Sequence, residues 1–267
     1  MDVDWGINVR SFGAFQWGSL REPRPSVRLV AMSARFFPVL CALAFLASLH
    51  ADDQPGRHES REIEGWTVLV DVRLLEGEGA EEGGKAIALL RASLAGIVSV
   101  VSADKVERLR EVRIFLDRDH GSLTSMQYHP SVDWLRKNGF SPDLAKAVHI
   151  PVAARFLDPR HQQTQPWCVM HELAHAYHDQ VLGYGDGRVK EAWERYVASG
   201  HGRMVLHVSG RFVPHYALTN EKEFFAEMTE AYFGTNDFVP FVHGQLKHEE
   251  PEIFALLREI WGAAVLE

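Results

Sequence analysis

The sequence predicts an α+β fold, with a small mixed sheet in the first part of the chain and a mostly helical second half. Three observations carry this. Short apolar runs stand at 65–75, 110–117 and 147–153, the length of buried or half-buried strands. Longer stretches with apolar residues at helical spacing begin after the first run and dominate beyond residue 166. Strands and helices come first and helices afterwards, an order that suits α+β layers.

Taken in order, 65–75 (GWTVLVDVRLL) reads as a strand and the Gly/Glu stretch 76–84 as a loop. Ile87, Leu89, Leu90, Leu94, Ile97 and Val98 fall on one helical face, so a helix is expected over 85–103. Strands follow at 110–117 and 147–153, with a short helix at 133–137 between them. Pro166 suits the first position of the next helix and Gly183 its stop. A helix over 188–199 and a hairpin over 203–214, turning at Ser209-Gly210, come next. Asn220 can cap a helix to Phe233, stopped by Gly234, and Pro251 opens a last helix to about 265.

The N-terminal segment differs. Residues 36–49, FFPVLCALAFLASL, form an apolar run behind Met32 and Arg35 and ahead of Ala51, the pattern of a secretory signal peptide. The run falls short of the roughly 20 residues a spanning helix needs, so no stable membrane span is expected after cleavage. The expected organisation is a signal region at 1–51 (with Met32 a possible start), a flexible start at 52–61 and one domain over 62–267. The chain would be secreted, periplasmic or held at the cell surface. Without 1–51 it has 23 basic and 33 acidic residues, a balance that excludes nucleic acid as the expected partner. Cys168 would be its one cysteine, so no internal disulfide is expected.

His171-Glu172-Leu173-Ala174-His175 is an H-E-x-x-H sequence inside an expected helix. Residues four apart share a helix face, so both imidazoles can grip one Zn2+, the expected cofactor. Glu172, one residue on, is placed to take a proton from a water activated by the metal and pass it to a leaving amine. The plain alternative is two ordinary histidines on a packed helix.

A catalytic zinc needs a third protein ligand and an open position. A third His six residues after the second is ruled out, because Val181 stands there. His178 shares the helix face but lies too far along the axis, and is read as support or core. Glu191 and Glu194 lack an Asp four residues on. Glu223 and Glu227, four apart, are better candidates: one can ligate while the other accepts the distal N–H of a ligand His. Spacing leaves a competing role open, since Glu223 stands three after Asn220 and can complete a capping box.

The run YALTNEKEFFAE (216–227), together with HELAH (171–175), resembles the catalytic domain of anthrax lethal factor and the related Pro-Pro endopeptidases. The likeness covers about 166–182 and 214–234, and nothing in 52–165 matches. It implies a zincin-like metallopeptidase domain of gluzincin type. Glu223 would be the third metal ligand beside His171 and His175, and Tyr216 the helper that stabilises the oxyanion or protonates the leaving group. Glu227 would support a ligand His. His215 stands second to Tyr216 for the helper role. The expected activity is zinc-dependent endopeptidase hydrolysis of a peptide or protein substrate. The rival is a zinc-binding adhesion module that has lost turnover, against which the intact Glu172 argues.

Overall fold

The computed structural model describes residues 56–264. The expected signal region lies outside them. The fold is α+β, as expected, with a five-stranded sheet in the order β1-β2-β3-β5-β4.

Strands β1 (His58–Ile63) and β2 (Trp66–Asp71) form an antiparallel hairpin. Its two-residue turn needs positive φ, 52° at Glu64 and 87° at Gly65. Strand β1 thus occupies residues that the polar composition assigned to a flexible start. It is an edge strand whose side chains are mostly exposed, so no apolar pattern marks it. The chain then forms α1 (Ala80–Val100), α2 (Ala103–Arg110) and β3 (Ile114–Leu116). Strand β4 (Gln127–Tyr128), α3 (Val132–Lys137) and β5 (Val148–Ile150) follow. Strands β2, β3 and β5 run parallel, and β4 pairs antiparallel with β5 at the far edge.

Alternation along the central strands sorts the two faces of the sheet. Val68, Val70, Ile114, Leu116, Val148 and Ile150 face the main core, together with Ala86, Leu90, Leu94 and Ile97 of α1. Phe115 turns the other way, into a smaller cluster with Leu123, Leu135, Leu144 and Ala147 from the segment between β3 and β5. The segment Gly77–Val100 is apolar and long enough by composition to cross a bilayer, but here its apolar stripe is buried on the sheet.

Short helices α4 (Ala153–Phe156) and α5 (Pro159–Thr164) lead into α6 (Cys168–Tyr177). Helix α7 (Gly187–Ser199) and the hairpin β6 (Val205–Leu206) and β7 (Phe212–Val213) come before α8 (Glu221–Phe233). Helices α9 (His243–Glu249) and α10 (Pro251–Trp261) close the fold. Helix α8 lies against α6 and is buried from Phe224 through Phe233. A helix buried on every side belongs to the interior. Its stop, Gly234, is required by packing: a Cβ there would lie 1.9 Å from the Trp167 ring. Trp261 of α10 locks the group, stacking on Phe225 and donating its indole N–H to Thr229 Oγ1 at 3.1 Å.

Candidate metal centre

Helix α6 brings His171 and His175 to one face, with their Nε2 atoms 3.1 Å apart. Helix α8 supplies Glu223, whose Oε2 lies 3.2 Å from His171 Nε2 and 3.4 Å from His175 Nε2. Tetrahedral ligands about 2.0–2.1 Å from a zinc stand roughly 3.3–3.4 Å from one another. The three donors therefore have the spacing that one such ion requires. Asn220 caps α8 by accepting from the N–H groups of Lys222 and Glu223. Asn220 thus fixes the first turn with its own side chain, and the Glu223 carboxylate faces the histidines of α6 instead of turning back to complete a capping box.

The surroundings prepare these donors. His171 Nδ1–H donates to Glu230 Oε1 at 2.6 Å, which leaves the lone pair on Nε2. Glu227 lies in the same buried patch, with Oε1 3.8 Å from His171 Nδ1 and Oε2 3.8 Å from His215 Nδ1. Spacing and the resemblance gave the supporting contact to Glu227. In the structure Glu230, one turn further on, makes the closer contact. The available signal was that Glu223, Glu227 and Glu230 repeat at i, i+4 and i+7. Charged residues on a helix buried all round must be paired.

Burial opposes ionisation of Glu223, but His175 and His171 beside it hold its carboxyl well below the usual range. Burial likewise works against a charge on His171, yet hydrogen bonds to Glu223 and Glu230 raise it well above an ordinary imidazole. In Glu172 burial wins and lifts the carboxyl above its usual value, against the pull of both histidines. Its Oε2 accepts the backbone N–H of Tyr128 at 2.7 Å. Edge strand β4 therefore orients the expected base, a role no sequence pattern announced. Tyr128 is fixed in turn, donating its hydroxyl to Asp179 Oδ2 at 2.6 Å.

Tyr216 is half-buried and opens the turn Tyr216–Leu218 that leads into α8. His215 is buried and caps that turn, its Nδ1 accepting from Ala217 N–H. His178 is buried between Tyr184 and Phe225; it belongs to the packing. Cys168 is buried and its thiol is pushed up to about 12, so it offers no thiolate to a metal. Within 147–153, β5 is hydrogen-bonded to β3 on one side and β4 on the other, so it leaves no free edge for a substrate.

This arrangement is that of a metal-dependent hydrolase: two imidazoles and a carboxylate converge, with a half-buried, oriented carboxylate next to them. Residues 148–261 match the model of a family described as glucose-regulated metallo-peptidase M90. The matched segment contains His171, Glu172, His175 and Glu223 and supports a metallopeptidase that uses a bound metal ion. No curated protein and no solved structure matches the chain.

Proposed function

We propose that the protein is an exported zinc-dependent endopeptidase that hydrolyses peptide bonds in a peptide or protein substrate. The observation that carries this reading is the donor triangle of His171, His175 and Glu223, with Glu172 held beside it by the Tyr128 amide. Two imidazoles and one carboxylate on two helices suit zinc, and leave a fourth position for solvent. Bound zinc would supply Lewis acidity and a water of lowered pKa.

The chain's own residues do the rest. Glu172 takes the proton of the attacking water, a step its raised carboxyl pKa favours, and returns it to the leaving amine. Tyr216 donates its phenol O–H to the developing oxyanion, as the likeness to lethal factor suggests. Glu230 holds the His171 tautomer, with Glu227 behind it. Export rests on the apolar run 36–49.

The test is a peptide-library digest by purified protein, with and without chelator. Cleavage that stops with chelator and returns with zinc is expected. Cleavage indifferent to chelator, or none from zinc-loaded protein, overturns the reading. A zinc module without turnover would give the second result.

A further inference from the structure

A second set of metal-ligating side chains lies on the other face of the sheet. Asp117 follows β3, His149 is the middle residue of β5, and His120 sits in the turn after Asp117. Each offers a donor atom within 4.8 Å of the others. Val148 and Ile150 point into the main core with α6, so by alternation His149 points away from it, towards Phe115. The cluster therefore shares no residue with the His171 site.

We propose that Asp117, His120 and His149 form a second site, structural in kind, for a divalent transition metal of the zinc class. Two imidazoles and one carboxylate are the donors such ions take. The site is sealed: Asp117 and His149 are fully buried and His120 is 4% exposed.

His120 distinguishes this cluster from an ordinary buried hydrogen-bond network. Neither of its ring nitrogens has a hydrogen-bond partner, yet both are buried. Its ring packs on His149 with centroids 4.7 Å apart, which turns it towards the cluster. A buried imidazole with both nitrogens unsatisfied is destabilising. Coordination would satisfy one of them.

The remaining contacts suit a ligand set already supported from outside. Asp117 Oδ2 lies 2.8 Å from His149 Nε2, a hydrogen-bonded spacing that an ion taking both as ligands would widen by roughly half an ångström. The other carboxylate oxygen, Oδ1, is 2.6 Å from His58 Nε2 of β1. His149 Nδ1 is 3.3 Å from His129 Nε2. His58 and His129 thus hold Asp117 and His149 from behind, as outer partners hold metal ligands. The site would tie β1, β3 and β5 to the turn at 120–123. That stretch has a small apolar cluster, and a metal there would add to the stability of the folded chain.

The test is zinc stoichiometry by elemental analysis of purified full-length protein after zinc loading and dialysis. Wild type should hold two zinc ions per chain. The variant carrying His171→Ala and His175→Ala should keep one, and adding His120→Phe should remove it. Phe fills the space of a ring that has no hydrogen bond to lose. Zinc should also raise the melting temperature of the His171→Ala, His175→Ala protein by several degrees, and not that of the triple variant. If the double variant fails to fold, wild type and single His120→Phe decide, with two ions expected against one. One ion in wild type, or an unchanged count after His120→Phe, overturns the second site. These results leave the peptidase reading standing, because that reading depends on the ion lost with His171 and His175.

Discussion

On one side of the sheet His171 and His175 come from one helix and Glu223 from its neighbour. On the other, His58, Asp117 and His149 come from three strands or their ends, and His120 from a turn. The first group is partly open, with side-chain exposures of 13%, 12% and 19% for His171, His175 and Glu223. Asp117 and His149 have none. Similar donors thus meet in different settings. A site that solvent and substrate can reach is fit for chemistry, whereas a sealed one can only hold the fold.

Variants distinguish the partly open site from the sealed one. Among the ligand and supporting residues the largest effect is expected at Glu223. Glu223→Ala leaves two ligands, and peptide turnover at limiting zinc should fall by about 100-fold or more, since losing an outer partner alone costs about 10–100-fold. Turnover assays across a zinc titration check this, and unchanged activity would remove Glu223 from the site.

Next is an acid response from the packed helices. Burial holds His178 at about 4, below its ordinary 6.5. Its folded pKa is depressed, so its contribution to stability is complete above pH 6.5 and is lost as pH falls through 4. The loss at pH 4 is about 3 kcal/mol, from 1.36 kcal/mol per unit. His178→Phe should recover about that much at pH 4 relative to pH 7 in urea unfolding. An equal pH dependence in wild type and variant would refute the assignment.

Glu230→Gln should weaken zinc binding at the helix site by about 10–100-fold, by disturbing the His171 tautomer. Glu227→Gln should cost less, because its oxygen is further from that ring. Competition with a chromogenic chelator ranks the two, and the reverse order would restore Glu227 as the main support. The smallest effect is at Asn220. Its replacement by Ala removes the cap of α8 and should cost about 1 kcal/mol of stability by chemical denaturation.

The difference between the two faces also explains what the sequence made legible. A helix writes its geometry in local spacing, so H-E-x-x-H and the Glu series of α8 were visible as faces. Whether Glu227 or Glu230 meets His171 was not, because that depends on how far α8 is rotated against α6. The strand-built cluster left no local pattern at all. Its members meet through register, with Phe115 opposite His149 and Leu69 opposite Phe115. Strand β1 was hidden by its exposed polar side chains, and two-residue β4 by its length. Helices α2 and α9 are short and went unread for the same reason. The central strands, α1, α8 and the 203–214 hairpin were legible because their apolar patterns and caps agree.

The role proposed for Glu172 is to move the proton in peptide hydrolysis at a metal held by its neighbours. Turnover and bound zinc measured together in Glu172→Gln test it most directly. The variant should keep its zinc at the His171 site and lose about 10²–10⁴-fold in kcat. Zinc retained with kcat unchanged would contradict the account.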